Sequence, residues 1–344
     1  MSREKPLKLA CIGAGYFAQF HLEAWKRIPE VELVAVCDLH QPKALAAAER
    51  YHIPRAYTSV ATLLEQQELD LVDIITPPAS HFELCQQFAN HGIPIICQKP
   101  LAPSYRQAVT LVETVSAKVP LHIHENFRFQ PWYRQIKTML DRGAIGDQVH
   151  HLYMQTRLGD GWQPDAYLQR QPYFRTMPQL LIFETGIHFI DTFRYLLGEV
   201  ESVFADLRKL NPKIAGEDCA MVWFKMANGA RALWDANRYN ESRSDNPRYT
   251  FGEMLLEGNQ GSIRLYPDGL ITWQNLGQPE EEVKYEHRDH GFGGDCVYLT
   301  QRHLAECLLD QTTSETEGTK YLQNLRIQEA IYESASTNRV IQIA

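Results

Sequence analysis

The sequence lacks the features of several protein classes, and each absence narrows what the chain can be. No apolar run is long enough to span a bilayer, so no membrane partner is expected. The 34 basic residues do not exceed the 42 acidic ones, which excludes the positively charged surface that binds nucleic acid. The start of the chain lacks the apolar core of a signal peptide. We therefore expect a cytoplasmic protein.

Cysteine is present, but without a pattern that forms a disulfide framework. The seven cysteines are an odd number and include no Cys-x-x-Cys pair. His122-x-His124 and His287-x-x-His290 have spacings that suit a metal, yet each pair stands alone. We expect no bound metal.

What is present is the pattern of an α/β protein with two domains. At 344 residues the chain exceeds the size that one hydrophobic core usually supports. Short apolar strands alternate with helical segments over 1–125, which predicts a domain with a doubly wound parallel sheet. Beyond it, 126–344 is predicted to be an α+β domain with a largely antiparallel open sheet.

Longer strand-like runs separated by turn residues support the second prediction. The runs cover 148–157, 200–210, 218–240 and 249–274. Asn228-Gly229 and Pro267-Asp268-Gly269 supply hairpin turns. A C-terminal helix is predicted over 319–336, where it can pack back on the first domain.

A glycine-rich turn near the start has the form of a dinucleotide site. Apolar residues 7–12 lead into the segment Gly13-Ala14-Gly15-Tyr16-Phe17-Ala18, and a helical pattern follows. Gly13 permits a tight turn, Gly15 lets backbone N–H groups approach a pyrophosphate, and Ala18 allows close packing of helix and strand. Asp38 ends the next strand, where a carboxylate binds both ribose hydroxyls and repels a 2′-phosphate. The combination predicts NAD rather than NADP.

Two later strands end in polar residues at one edge of the predicted sheet. A strand over 69–75 leads into Thr76-Pro77-Pro78 and His81, and a strand over 93–97 leads into Gln98-Lys99-Pro100. Ligands of open α/β sheets bind beyond the carboxyl ends of strands. The prolines there suit a rigid connector equally well. Lys99 is either a solvated surface charge or a group that stabilises a developing alkoxide.

One segment of the second domain places a carboxylate and an imidazole four residues apart. Glu184 and His188 would share one face of an α-helix. Such a pair can hold a substrate hydroxyl and accept its proton. It could also bind a metal, but no matching third ligand is evident. Taken in isolation, a capping carboxylate and a core histidine would be the better interpretation.

Together these motifs resemble the glucose-fructose oxidoreductase, inositol dehydrogenase and MocA (Gfo/Idh/MocA) family of two-domain NAD(P)-dependent oxidoreductases, over nearly the whole chain. The resemblance rests on Gly13-Ala14-Gly15, Thr76-Pro77-Pro78 with His81, Gln98-Lys99-Pro100, Asn126-Phe127-Arg128-Phe129-Gln130-Pro131, Gly143-Ala144-Ile145-Gly146 and the segment from Glu184 to Asp191.

Three departures from the family pattern stand out. Gln98 replaces the usual Glu and so removes a negative charge beside Lys99. Glu184 replaces Asp in the pattern Asp-x-Gly-x-His-x-x-Asp and keeps the charge on a longer arm. The glycine run that many relatives carry before that pattern is absent from 178–183. The substrate of relatives therefore does not transfer directly.

The resemblance implies hydride transfer between a sugar or polyol carbon and nicotinamide. It makes 1–125 the NAD-binding Rossmann domain and 126–344 the α+β domain for substrate binding and oligomerisation. By position, Lys99 would be the catalytic lysine, His188 the proton-transferring histidine and Glu184 the neighbouring carboxylate. Asn126 would line the cofactor and substrate cleft. The expected NAD contacts are Gly13, Gly15, Tyr16, Phe17, Ala18, Asp38, Thr76, Pro77, Pro78, His81, Gln98, Lys99 and Asn126.

Substrate choice is expected to depend on the loop over 159–175, whose aromatic and polar residues suit the C–H faces and hydroxyls of a sugar. The same aromatics could instead cover a domain junction or an oligomer contact. The predicted substrate-binding residues are Arg128, Trp162, Tyr167, Arg175, Glu184 and His188.

The sequence thus predicts an NAD-dependent dehydrogenase acting on a CH–OH group of a sugar or polyol, with a small aldose such as a pentose as one option. A homodimer or homotetramer is expected from the family's open sheets. Two alternatives stay open: a glycoside hydrolase that uses NAD internally, and a non-catalytic NAD-linked sugar sensor.

Overall fold

The computed structural model describes residues 5–343, which fall into two compact units. Unit 1 contains the chain up to Asn126 together with Cys296–Gln323. Unit 2 contains Phe127–Asp295 together with the segment from Asn324 onward. The predicted division left the whole chain after residue 125 in one domain, whereas 296–323 groups with the first unit.

The elements within residues 5–343 follow the predicted alternation and then the predicted strand-rich region. The strands are β1 (Leu7–Ile12), β2 (Val31–Cys37), β3 (Arg55–Tyr57), β4 (Leu71–Ile74), β5 (Ile95–Gln98), β6 (Leu121–His124), β7 (Val149–Arg157), β8 (Val200–Arg208), β9 (Cys219–Met226), β10 (Arg231–Asn237), β11 (Glu253–Gly258), β12 (Gly261–Leu265), β13 (Ile271–Asn275), β14 (Glu281–Glu282) and β15 (Ile341–Gln342). The α-helices are α1 (Ala18–Trp25), α2 (Gln41–Tyr51), α3 (Val60–Gln66), α4 (His81–Asn90), α5 (Tyr105–Ser116), α6 (Pro131–Asp141), α7 (Ile187–Leu197), α8 (Cys296–Asp310) and α9 (Gly318–Thr337).

Unit 1 contains a six-stranded parallel sheet in the order β3-β2-β1-β4-β5-β6. β4, β5 and β6 are buried along their whole length, as expected for strands covered by helices on both faces. The strand order reverses between β1 and β4, so the ends of these strands flank the crevice in which such sheets bind ligands. The predicted Rossmann sheet is confirmed.

The return of α8 to unit 1 has a packing reason. Leu304 and Ala305 of α8 join the core formed by Leu22 and Trp25 of α1. The segment after α8 also pairs with β6, since the Ile123 N–H donates to the Thr316 carbonyl at 2.8 Å. The sequence pattern missed this because the apolar residues of α8 show only that it is buried, not where.

Unit 2 contains a nine-stranded sheet in the order β14-β13-β12-β11-β7-β10-β9-β8-β15. The pairing is antiparallel except between β7 and β10. Strand residues alternate between buried and partly exposed positions, so one face belongs to the core with α6, α7 and the later part of α9. The predicted, largely antiparallel sheet is confirmed.

The opposite face of this sheet carries large apolar side chains. Phe204 of β8 is 36% exposed, and Met221 and Trp223 of β9 are 49% and 53% exposed.

None of the helices within residues 5–343 combines the length and the apolar character that crossing a bilayer demands.

Candidate active site

The glycine turn after β1 has the geometry that a dinucleotide site needs. Gly13 has φ +103°, and a Cβ there would lie 2.9 Å from the Ile75 carbonyl oxygen. The turn and its contact with the end of β4 therefore require glycine. At Gly15, in contrast, nothing lies within 4 Å of the position that a Cβ would take. This space beside the start of α1 fits a pyrophosphate that approaches the backbone.

Asp38 stands at the end of β2 beside that turn. Its Oδ2 accepts the Ala14 N–H and its Oδ1 accepts the His40 N–H, both at 2.8 Å. Each carboxylate oxygen has a second acceptor site that a ribose hydroxyl can use. In the same unit the Oδ1 of Asn126 is buried without a hydrogen-bond partner, which leaves an acceptor for a ligand. These residues fit NAD.

His81 connects the loops that follow β4 and β5. Its ring is fully buried, with Nε2 2.7 Å from the Thr76 carbonyl oxygen and Nδ1 3.0 Å from that of Leu101. Burial lowers the pKa of His81, although the hydrogen bonds to these carbonyls oppose the shift. Thr76 is held further by a 2.8 Å hydrogen bond from Ser80. His81 thus positions the Thr76–Pro78 turn, while a direct contact with the cofactor stays a prediction.

Lys99 follows β5 at the same strand edge of unit 1. Its backbone N–H donates to Oε1 of Gln98 at 2.7 Å, and the Lys99–Pro100 peptide is cis. The Gln98 side chain is buried, with Nε2 3.0 Å from Nε2 of His21. Residue 98 therefore contacts the interior of the unit and the Lys99 backbone.

In unit 2, Glu184 lies in a π-helical turn, Ile182–Gly186, that runs directly into α7. The sequence predicted a plain α-helix here. A glycine is needed because a Cβ at Gly186 would lie 2.9 Å from the Trp234 ring. Glu217 anchors the start of the turn, since its Oε1 accepts the N–H groups of Leu180 and Ile182. Such wider turns are frequent at functional sites.

His188 is the second residue of α7 and is 6% exposed. Its ring stacks on Phe127, with ring centroids 4.0 Å apart and an interplanar angle of 4°. Beside it, the Thr185 hydroxyl accepts a 3.2 Å hydrogen bond from Arg238. The stack fixes the plane of the imidazole, which favours proton transfer in a defined geometry.

Arg128 forms a bidentate ion pair with Asp191, the last residue of the Glu184–Asp191 motif. Its Nε and Nη2 lie 2.7 and 2.6 Å from the two carboxylate oxygens. Asp191 is 1% exposed and accepts a further hydrogen bond from Asn324 at 2.7 Å. The pair joins the segment before α6 to α7, and a substrate contact by Arg128 stays a prediction.

The loop over 159–175 is organised by its own side chains. The Tyr167 hydroxyl accepts a hydrogen bond from Arg238 at 3.2 Å, and Arg175 donates to the Pro164 carbonyl at 3.0 Å. Trp162 is 45% exposed and donates to Glu241. Of the three predicted substrate contacts here, Trp162 is the one that presents a large surface.

Asp160 and Arg238 hold this loop to the end of β10. Burial on its own would raise the pKa of Asp160, but the guanidinium groups of Arg238 and Arg248 outweigh it and lower that pKa. Arg238 is 3% exposed. The sequence reasoning missed the pair because its members are 78 residues apart.

The sequence analysis also missed other buried polar residues, some of which are recognisable as polar residues within or next to apolar segments. Asp73 is a charged residue inside the apolar strand β4, and Glu217 precedes β9. His21 lies on the buried face of α1. A charge within an apolar run indicates a buried partner, but not which one.

Two family models match the chain. The "Oxidoreductase family, NAD-binding Rossmann fold" model covers residues 7–123, and the "GFO/IDH/MocA C-terminal domain" model covers residues 133–264. To within one residue, the first model spans β1 to β6 of the unit 1 sheet and the second spans β7 to β12 of the unit 2 sheet.

Similar proteins span the full length. A D-apiose dehydrogenase from Rhizobium rhizogenes is 32% identical over 98% of this chain and 97% of its own length. A second D-apiose dehydrogenase, from Paraburkholderia graminis, is 31% identical over 98% of this chain and 90% of its own. Among solved structures, an oxidoreductase from Agrobacterium radiobacter, in complex with NAD+, L-tartaric acid and magnesium, matches with a TM-score of 0.89 and 30% identity. That match covers 98% of this chain and 99% of the other.

Proposed function

The chain belongs to the Gfo/Idh/MocA oxidoreductase family, and we propose that within it the chain oxidises a small aldose of the pentose class, D-apiose being the first candidate. It is an NAD-dependent sugar dehydrogenase. The observation that carries the finer proposal is the full-length similarity to two proteins named for D-apiose.

Bound NAD supplies the hydride acceptor, and the chain's own residues supply the proton chemistry. We propose that His188, whose ring stacks on Phe127, accepts the proton of the reacting substrate hydroxyl. The Lys99 ammonium stabilises negative charge on the reacting oxygen. Glu184 accepts a hydrogen bond from a substrate hydroxyl and so orients the sugar.

Gly13, Gly15 and Asp38 are assigned to the NAD site. The open space at Gly15 accommodates the pyrophosphate, and the Asp38 carboxylate binds the adenosine ribose. The remaining predicted cofactor contacts are proposed from their place at the ends of β1, β4, β5 and β6: Tyr16, Phe17, Ala18, Thr76, Pro77, Pro78, His81, Gln98 and Asn126.

The test is a screen of D-apiose, other aldopentoses, hexoses, polyols and inositols with NAD and with NADP, following the absorbance of reduced nicotinamide. Turnover is expected with NAD and a pentose. Lys99→Ala and His188→Asn should each lower kcat by about 10² to 10⁴, as loss of general acid–base chemistry does. Lys118→Ala, an exposed lysine of the same unit, is the matched control.

Higher kcat/KM for a hexose or an inositol than for any pentose would overturn the substrate proposal but leave the catalytic assignment in place. Full activity of Lys99→Ala would overturn the assignment of the lysine.

We also propose a homodimer or homotetramer that buries the apolar sheet face of Phe204, Met221 and Trp223. Exposed apolar patches of this kind commonly mark protein contacts. Trp223→Glu is expected to shift the mass measured by light scattering to that of a smaller species, and an unchanged mass would contradict this interface.

The seven free cysteines fit a reducing, cytoplasmic compartment, which we propose as the location.

A further inference from the structure

A buried chain of hydrogen bonds leads from the interior of unit 1 to the backbone of Lys99. Asp73 of β4 and His21 of α1 are both fully buried, and Asp73 Oδ2 lies 2.7 Å from His21 Nδ1. The other ring nitrogen, Nε2, lies 3.0 Å from Nε2 of Gln98. Gln98 Oε1 in turn accepts the Lys99 N–H at 2.7 Å. The four residues come from three different elements and the loop after β5.

Which group donates and which accepts in each of these hydrogen bonds follows from the Lys99 N–H. A backbone N–H can only donate, so the amide oxygen of Gln98 must face Lys99 and its NH₂ must face His21. An NH₂ group can only donate, so Nε2 of His21 must accept and carries no proton. The ring proton therefore lies on Nδ1, where it is donated to Asp73. One tautomer of a neutral His21 satisfies all three bonds.

The pairing of donors with acceptors depends on residue 98 being a glutamine. A glutamate at 98 has only acceptor oxygens, so a proton on Nε2 of His21 would be needed for the same contact. The imidazole would then be a cation beside two carboxylates. Gln98, the residue that departs from the family pattern, lets His21 stay neutral and keeps the direction of the chain of bonds.

We propose that Asp73 and His21 are positioning residues, which orient the Gln98 amide and, through it, the backbone at Lys99. The proposal rests on the proposed role of Lys99. Both residues are fully buried and are not assigned a contact with the substrate. Their effect on the reaction is expected to be confined to the placement of the lysine, where a displacement near 1 Å already lowers the rate by about 10².

Two substitutions of His21 separate positioning from simple stabilisation. In His21→Asn the shorter amide can take the place of Nδ1 and keep the bond to Asp73, but nothing accepts from Gln98. In His21→Gln the longer amide can present its oxygen in place of Nε2 and so keep the bond to Gln98. We expect His21→Asn to lower kcat by about tenfold to hundredfold, with KM for the sugar little changed, and His21→Gln to recover most of that loss.

Trp25→Phe is the matched control. Trp25 is also on α1, is 1% exposed, and donates its Nε1 to the same Asp73 oxygen at 2.7 Å, but it has no bond to Gln98. We expect it to lower the melting temperature and leave kcat unchanged. Equal losses of kcat in Trp25→Phe and His21→Asn would overturn the proposal, because both would then report only damage around Asp73.

A double substitution guards against poor folding of one variant. If His21 acts through Gln98, then Gln98→Met should add little to the loss of kcat already caused by His21→Asn. Losses that multiply would overturn the proposal.

Lys99→Ala distinguishes this proposal from the one on which it rests. If Lys99→Ala is inactive and His21→Asn behaves like Trp25→Phe, only the positioning role fails. If Lys99→Ala retains full activity, both proposals fail.

Discussion

Gly186→Ala is the substitution for which the structure predicts a specific collision at the candidate site. The new Cβ would lie 2.9 Å from Cζ3 and 3.2 Å from Cη2 of Trp234. Trp234 is 1% exposed, and its Nε1 donates to the Thr156 hydroxyl at 3.0 Å, so the indole cannot retreat without repacking or losing that bond. Overpacking of this kind costs about 1–3 kcal/mol. For a unit of this size each kcal/mol lowers the melting temperature by roughly 2–4 °C.

Part of the strain is expected to be relieved by movement of the π-helical turn that carries Glu184 and leads to His188. A displacement of these side chains near 1 Å is expected to lower kcat by up to about 10². Scanning calorimetry measures the loss of stability, and steady-state rates with the best sugar substrate measure the second effect.

Trp234→Phe provides the internal control, because phenylalanine lacks the outer indole atoms that the new Cβ would meet. Gly186→Ala should therefore lower the melting temperature and kcat less when it is added to Trp234→Phe than when it is made in the natural protein. The lost hydrogen bond to Thr156 lowers the stability of both Trp234→Phe variants alike and so cancels in this comparison. An unaltered melting temperature and kcat in Gly186→Ala, or equal losses in both backgrounds, would refute the collision argument.

Three further predictions follow from buried or paired groups. His122 is buried, and burial lowers its pKa to about 4, so the stability of the fold is full above about pH 6.5 and falls as the pH drops toward 4. His122→Asn should remove roughly 3 kcal/mol of this pH-dependent change in unfolding free energy, measured by urea titration at several pH values. An unchanged pH dependence of stability would contradict the prediction. Asp38→Asn should narrow the preference for NAD over NADP in kcat/KM by about tenfold or more, and an unchanged ratio would refute the ribose assignment. Arg128→Gln leaves the buried carboxylate of Asp191 without its bidentate partner and should cost about 3–5 kcal/mol of unfolding free energy; a raised KM for the sugar with unchanged stability would instead favour the substrate role predicted from the sequence.

The parts of the fold that depend on neighbouring residues could be predicted from the sequence. The strands β1 and β2, the intervening α1 and the glycine turn all follow from local spacing and from the conformations that Gly13 can adopt. The positions of Asp38 and Lys99 at strand ends followed in the same way. Parallel strands bring such ends to one edge of a sheet, so sequence order was sufficient.

The partners of these side chains could not be predicted in this way. Glu184 was expected on an α-helix, yet it lies in a π-helical turn, and Gly186 of that turn packs against Trp234, 48 positions later in the chain. Arg128 carried a positive charge that suited a substrate, and its bidentate contact with Asp191 became visible only in the folded unit.

By itself, then, the sequence determined the alternation of strands and helices over 1–125, the type of each sheet and the dinucleotide motif, because periodicity and glycine chemistry act over a few residues. Only the tertiary structure decided that α8 returns to unit 1 and that Asp73, His21 and Gln98 form one chain of hydrogen bonds. The physical reason is that burial selects partners by shape and by donor and acceptor geometry. Residues separated by 52 and 77 positions have no local pattern that records such a match.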